Sequence, residues 1–216
     1  MYLLGIVIAI LTAYIISKID GSKAEHALLI ELPEYKAPNA RTIAVYVWEK
    51  VKDYLTKAGT VIFFASIVMW LLLNVGQSGF VTDITESFGA VIGKAIVPFF
   101  RPLGLGYWQI VVALISGIAA KEVVVSSCSV LFGIQNITTA HGMDSFVATL
   151  GAMGFGAANA YALMVFCLLY VPCTATIATI RREVGSTKTT AGIVLFQLAV
   201  AWVVSFLAFH VAGLFL

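Results

Sequence analysis

The sequence predicts an all-α fold, a polytopic bundle of membrane helices that contains a re-entrant or broken-helix motif. Three observations lead to this prediction. Hydrophobic residues make up 61% of the 216 residues and charged residues only 11%, whereas the apolar share of a soluble domain is about half. Apolar stretches recur at about the 20 residues that a helix needs to cross a bilayer. Two of these stretches are interrupted, one by Lys121-Glu122 and the other by Pro172.

The N-terminal segment predicts a first membrane helix over residues 2–17. A cleaved signal peptide is the alternative, and it requires basic residues before the apolar core. Here the order is reversed, because Lys18 follows the core and no basic residue precedes it. We therefore assign residues 1–17 to a membrane helix whose end is anchored by Lys18.

Residues 18–57 are predicted to form a cytoplasmic loop with an amphipathic surface helix. This stretch carries seven Lys or Arg and six Asp or Glu residues. Asn39 is a good cap for a helix that starts near Arg41, and apolar residues then recur at helical spacing. Such a helix either lies on the membrane surface or packs on a soluble partner domain.

Residues 58–216 are predicted to form the membrane domain, which begins with a second span over 58–75. A short helix near 85–96 follows, and Pro98 and Pro102 are expected to end it. Only two basic residues, Lys94 and Arg101, fall between positions 76 and 106. The positive-inside rule therefore places 18–57 in the cytoplasm and 76–106 outside.

The stretch 107–133 is long enough to cross the membrane once, yet its neighbours argue for a re-entrant hairpin. The following loop, 133–144, has no Lys or Arg and is therefore also expected outside. Both ends would then lie on one side, with a break near Lys121. Broken backbone at membrane depth is tolerated only where protein or a water-filled cavity satisfies it.

The remaining elements follow in order. The glycines of 151–158 suggest close helix packing. A span over 161–180, interrupted at Pro172, ends in Arg181-Arg182 on the cytoplasmic side. Gly185 is expected to stop that helix, and a last span covers 191–211.

The first candidate site surrounds Glu122. On a helix this carboxylate shares a face with Ser126 and Ser129, a set that suits a cation losing its water. Cys128 would add a thiol that softer ions such as iron accept. The alternative is a structural ion pair in which Lys121 and Glu122 pin two helices together.

The second candidate site surrounds Pro172. Proline cannot donate a hydrogen bond to the carbonyl oxygen of Leu168, which leaves that oxygen free at membrane depth. Cys173 and Thr176 lie one helical turn apart beside it. A carbonyl, a thiol and a hydroxyl together could hold a cation transiently, while an ordinary proline kink is the alternative.

Other function classes find no support in the sequence. No GxxxxGK[ST] motif is present, so we expect this chain not to bind or hydrolyse GTP or ATP, and not to be an enzyme. The net charge of +2 and the absence of basic runs argue against nucleic acid as a partner. The three cysteines, in apolar segments without CxxC spacing, favour neither disulfides nor structural zinc.

At four places the chain resembles the C-terminal membrane region of the ferrous iron transport protein B family. The matching motifs occur in the order and approximate spacing of that family: Tyr2-Leu3-Leu4-Gly5-Ile6-Val7, Glu31-Leu32-Pro33-Glu34-Tyr35 with Pro38, Ala120-Lys121-Glu122-Val123-Val124-Val125, and Tyr170-Val171-Pro172-Cys173 through Ile180-Arg181-Arg182-Glu183.

The resemblance implies a permease that carries Fe²⁺ as substrate across the bacterial inner membrane, with no permanently bound cofactor. In that family a GTP-binding domain and a first gate domain precede the region matched here. This chain would hold the second gate and its flanking helices, with the other domains supplied in cis or in trans. Cys173 falls on the family's pattern, whereas Cys128 lies where many members have no cysteine. From the two candidate sites we expect Glu122, Cys173, Cys128 and Thr176 to bind metal and Lys121 to gate by pairing with Glu122, and a homo-oligomer is expected. The alternatives are a non-conducting assembly or regulatory subunit and a related solute carrier.

Overall fold

The computed structural model describes residues 1–20, 39–77, 79–81, 83–118, 121, 123–134, 139–170 and 173–215. Two compact units divide the chain, Met1–Lys57 and Ala58–Leu216. The family motif at 31–38 and the candidate residues Glu122 and Pro172 lie outside the described residues.

Two long helices account for the first part of the chain. Helix α1 spans Tyr2–Asp20, and its large apolar side chains are mostly exposed, as expected for a helix that faces lipid. Helix α2 spans Ala40–Asn74. The Arg41 backbone N–H donates to Asn39 Oδ1 at 3.0 Å, which confirms the predicted cap.

Helix α2 is continuous across the point where the sequence suggested a surface helix followed by a separate span. Its 35 residues contain no proline, and Gly59 is the one glycine. A single glycine in a helix costs about 1 kcal/mol, which is too little to end it. The backbone therefore has no local reason to end the helix where the charged residues give way to the uncharged stretch 58–74.

A small hairpin and a capped turn connect α2 to the next helix. Strands β1, Val75–Gly76, and β2, Gly79–Phe80, pair antiparallel. The Thr85 backbone N–H donates to Asp83 at 2.9 Å and lowers the pKa of that carboxyl. Ser87, fully buried, accepts from the Ala90 N–H at 3.2 Å and so caps helix α3, Phe88–Phe100.

Helix α3 corrects one boundary expected from the sequence. Pro98 lies inside it rather than ending it. The proline lies in the last turn, where it lacks the N–H that would bond to the Lys94 carbonyl oxygen, and the helix ends two residues later at Phe100. Arg101–Leu103 then forms a 3-10 turn that contains Pro102, and helix α4, Trp108–Ser116, leaves at a 101° bend.

Helices α5, Val123–Leu131, α6, Ala140–Ala152, and α7, Ala157–Leu169, follow. The sequence did not predict α6, although Thr139 caps it by accepting from the Gly142 N–H at 3.2 Å. The glycine segment expected to pack helices is instead the turn of a 111° bend between α6 and α7. Gly154 has a left-handed φ of 79°, and a Cβ at Gly151 would meet nothing within 4 Å.

The chain ends with helices α8, Thr174–Val184, and α9, Thr187–Phe215. Gly185, at φ 68°, ends α8 as predicted. Helix α9 packs along α7, where the Ser205 hydroxyl donates to the Ala162 carbonyl oxygen at 2.8 Å inside the core. The Asn159 side chain donates to the Gly104 carbonyl oxygen at 2.6 Å, which ties α7 to the bend before α4.

Membrane-length helices are few among the described residues. Thr187–Phe215 is long and apolar enough to cross alone, and two bent pairs reach that length only together. These pairs are Phe88–Leu103 with Trp108–Ser116 and Ala140–Ala152 with Ala157–Leu169. The helical architecture with broken apolar segments is therefore confirmed.

Candidate functional site

The first helix break separates α4 from α5. After Ser116 the chain turns at Gly117-Ile118, and α5 begins at Val123. The hydroxyls of Ser116 and Ser127 are hydrogen-bonded at 2.7 Å, whereas eleven residues of straight helix would separate them by about 16 Å. The chain therefore folds back on itself, in the broken-helix form rather than as one straight span.

The second helix break separates α7 from α8. Helix α7 ends at Leu169, and Tyr170 takes an extended conformation with ψ 174°. Cys173 is likewise extended, with ψ 158°, and precedes the first residue of α8. The interruption surrounds Pro172, whose own placement is outside the described residues.

The two breaks touch each other, and we call their meeting point the break junction: Gly117, Ile118, Lys121, Tyr170, Cys173 and Thr174. The Thr174 backbone N–H donates to the Ile118 carbonyl oxygen at 2.9 Å. A Cβ on Gly117 would collide with the Tyr170 hydroxyl and with the Val124 side chain. Non-helical backbone from each segment is thus satisfied partly by the other, as membrane depth requires.

Lys121 belongs to the first break but makes its described contacts with the second. Its ammonium donates to the Cys167 carbonyl oxygen at 3.2 Å and lies 5.1 Å from the centre of the Tyr170 ring. The last carbonyl groups of a helix have no partner within the helix, and a cation there also meets the negative end of the helix dipole. Lys121 therefore caps the C-terminus of α7. Its predicted pairing with Glu122 stays a prediction.

Cys173 and Thr176 present two side-chain donor atoms at the start of α8. The Cys173 sulfur and the Thr176 hydroxyl are 3.3 Å apart, as their three-residue spacing predicts. Cys173 is half-buried and Thr176 is exposed. This pair is the part of the predicted metal set that the described structure brings together.

Cys128 has a different setting. It is 6% exposed and lies in the apolar core with Val124 and Phe166. No group of three or more His, Cys, Asp and Glu side chains is placed to hold a metal ion among the described residues. The described residues of the break junction present backbone carbonyl groups, the Tyr170 and Thr174 hydroxyls and the Cys173 thiol.

Tyr170 was not among the predicted site residues. It is 4% exposed, stacks on Phe166 with ring centres 5.5 Å apart, and has a buried hydroxyl that finds no hydrogen-bond partner among the described residues. Buried hydroxyls usually have partners. A tyrosine directly before a proline break in an apolar stretch is the signal that could have drawn attention to it.

Two family models match the chain. The family model described as "Nucleoside recognition", of the Gate family, matches residues 55–187. The model described as "Ferrous iron transport protein B C terminus" matches residues 1–50. No solved structure matches.

Curated relatives align over the whole chain. The "Fe(2+) transporter FeoB" of Staphylococcus aureus strain MSSA476 is 36% identical over 100% of this chain and 31% of its own length. The protein of the same name from Methanocaldococcus jannaschii is 38% identical over 95% of this chain and 30% of its own length. This chain thus spans about a third of these relatives, and it belongs to the Gate family in the form that makes up the C-terminal membrane region of ferrous iron transport protein B.

Proposed function

We propose that this chain is the C-terminal permease portion of a ferrous iron transporter in the bacterial inner membrane, and that Fe²⁺ passes the break junction. The observation that carries the proposal is the direct contact between the two breaks, shown by the hydrogen bond from Thr174 to Ile118. Substrate sites of transporters form at discontinuous helices, where unwound backbone exposes carbonyl groups to an ion.

Cys173 and Thr176 are the proposed side-chain ligands at the second break, with Glu122 supplying charge from the first. A thiol or thiolate selects softer divalent ions, whereas a carboxylate adds attraction for divalent cations without that selectivity. Cys128 would reach the ion only after α5 moves, because its thiol is buried in the apolar core. A GTP-binding domain and a first gate domain, in cis or in trans, would complete the transporter.

Uptake of radioactive Fe²⁺ tests this proposal in cells that carry the full-length transporter. We expect Cys173→Ser and Glu122→Gln each to lower uptake at least tenfold, since loss of even an outer-shell partner lowers metal affinity roughly 10- to 100-fold. Cys167→Ser and Glu183→Gln are the matched controls and should leave uptake unchanged. Normal uptake by Cys173→Ser and Glu122→Gln at equal protein level would refute the proposed path.

A non-conducting assembly subunit, the alternative considered from the sequence, is the second candidate. Liposomes that contain the purified chain separate the two functions. Uptake of Fe²⁺ that depends on Cys173 supports the permease. Absence of uptake, together with tight binding of a separate GTP-binding domain, supports the assembly role.

A further inference from the structure

A cavity lies at the bend between α3 and α4. It has a volume of about 330 Å³ and is lined by residues from α3, the bend and α4, with Met153 beyond α6. Its described lining includes two cations, Lys94 and Arg101, and no acidic side chain, and the exposed Asp83 carboxylate outside the lining interacts electrostatically with Lys94. Two positive charges repel a divalent cation, so this cavity is separate from the proposed iron path.

Both cations are positioned by the fold. The Lys94 ammonium donates to the Thr85 carbonyl oxygen at 3.1 Å and lies 5.8 Å from the centre of the Trp108 ring. Arg101 follows seven residues later, which places it on the same side of the helix. A Cβ on Gly106 would come within 3.0 Å of the Arg101 side-chain stem, so this glycine leaves room for that stem.

The cavity retains unused hydrogen-bond donors. An ammonium has three donor hydrogens and a guanidinium five, and the described contact of Lys94 uses one. The Gln109 amide also lines the cavity. The Tyr107 hydroxyl already donates to the Met153 carbonyl oxygen at 3.0 Å. A site with two cations and an amide donor, and with no carboxylate among its described lining residues, is complementary to an oxyanion, and guanidinium groups match phosphate especially well.

The exposed apolar side of α3 points to a lipid as the source of that oxyanion. One side of α3 exposes the apolar side chains of Phe88, Val91, Ile92 and Phe99, each 40–51% accessible. In a membrane protein acyl chains cover such a surface. Lysine and arginine bind phosphate, including the phosphate of a lipid headgroup, through charge-assisted hydrogen bonds, and aromatic residues such as Tyr107 and Trp108 sit at the headgroup level.

We propose that this cavity binds the phosphate group of an anionic phospholipid through Lys94 and Arg101, with the acyl chains along the exposed apolar side of α3. The site is independent of iron transport, and its test does not depend on uptake.

Native mass spectrometry of the purified full chain tests the proposal with phosphatidylglycerol as the probe. We expect the unaltered chain to retain this lipid and the Lys94→Gln, Arg101→Gln double variant to retain at least tenfold less. The Lys50→Gln, Lys52→Gln variant removes the same charge from exposed positions of α2 and should retain as much as the unaltered chain. The Lys94→Arg, Arg101→Lys variant changes the same two positions but preserves both charges. It should also retain the lipid, and it therefore controls for a folding defect at these positions.

Inorganic phosphate distinguishes the two sources of the oxyanion. If phosphate without lipid raises the melting temperature, and only when Lys94 and Arg101 are present, the oxyanion site holds and its ligand is free phosphate. Equal retention of phosphatidylglycerol by the unaltered chain and by the Lys94→Gln, Arg101→Gln variant would overturn the proposal.

Discussion

Gly117 is the residue on which the contact between the two helix breaks depends. Its φ of −66° is one that every residue type adopts, so the backbone does not require glycine there. The requirement comes from space, because the Tyr170 hydroxyl and the Val124 side chain occupy the position of a Cβ. Any side chain at 117 would therefore push the breaks apart.

The Gly117→Ala variant separates this steric effect from ordinary backbone preference. In a helical conformation without contacts, alanine stabilises by about 0.4–1 kcal/mol relative to glycine. Here overpacking should outweigh that gain and lower the free energy of unfolding by about 1–3 kcal/mol. Thermal unfolding in detergent measures the difference.

Gly192→Ala is the matched control, since a Cβ at that position in α9 meets nothing within 4 Å. We expect it to be neutral or slightly stabilising. A Gly117→Ala protein as stable as the Gly192→Ala protein would contradict the tight contact at the break junction.

Lys121 gives a second prediction at this scale. Lys121→Met keeps the length of the side chain but removes the donor to the Cys167 carbonyl oxygen. Because Lys121 is exposed, solvent weakens the interaction, and we expect a loss of about 1 kcal/mol in unfolding free energy. Lys121→Arg should keep most of it, and Lys188→Met, at the exposed start of α9, should change nothing. Equal melting temperatures for Lys121→Met and Lys188→Met would contradict the capping role.

At the scale of single residues, the sequence predicted contacts between residues close in the chain but not between distant ones. The proximity of Cys173 and Thr176 follows from helical spacing and is found. The contacts of Lys121 do not follow from local spacing, because Cys167 and Tyr170 lie more than 45 residues further along the chain. Nothing in the neighbouring sequence encodes such a contact.

Between elements, the packing of α7 against α9 depends on small side chains. Ala162, Ala201 and Ser205 are fully buried, so the two backbones approach closely and the Ser205 hydroxyl reaches the Ala162 carbonyl oxygen. Small residues with interspersed hydroxyls are typical of helix contacts inside membranes.

Ser205→Ala tests this contact. We expect unfolding free energy to fall by about 1 kcal/mol, within the range measured for hydrogen bonds between membrane helices. Ser145→Ala is the control, because Ser145 is exposed and its hydroxyl bonds within its own helix, to His141. If both variants unfold at the same temperature, the hydrogen bond between α7 and α9 contributes nothing measurable.

Element boundaries were predictable where a capping residue or a proline break marks them. Asn39, Gly185 and the interruption at Pro172 all preceded or followed helices in the expected way. The continuity of α2 was missed because a change from charged to apolar composition looks like a boundary although the backbone has no reason to end there. Pro98 located the end of α3 only approximately, since the helix continues for two residues beyond it.

For the whole molecule, the distribution of basic residues predicts orientation. Residues 18–57 are expected in the cytoplasm and 76–106 outside, since Lys and Arg concentrate in cytoplasmic loops. Lys52 and Asp83 are exposed representatives of these two segments.

Labelling of introduced cysteines with a membrane-impermeant maleimide checks this orientation. In intact spheroplasts we expect Asp83→Cys to react and Lys52→Cys to react only after permeabilisation. The unaltered chain, with its buried and half-buried cysteines, sets the background. The reverse pattern would invert the orientation and place the Lys94 and Arg101 cavity on the cytoplasmic side.

At this scale the sequence predicted two interrupted segments but not that they meet. Hydropathy and charge locate a break along the chain, whereas the Ile118 and Thr174 contact joins positions 56 residues apart. Such a pairing arises only when the intervening helices have packed.

The shortness of α4 and α5 has a consequence for how the protein is made. Each has nine residues and is therefore about 14 Å long, half the roughly 30 Å of a bilayer core. Neither is long enough to cross as an independent segment, so both depend on packing against neighbouring helices before they can settle in lipid. Helix α9 is long enough to cross by itself and can enter the bilayer without such help.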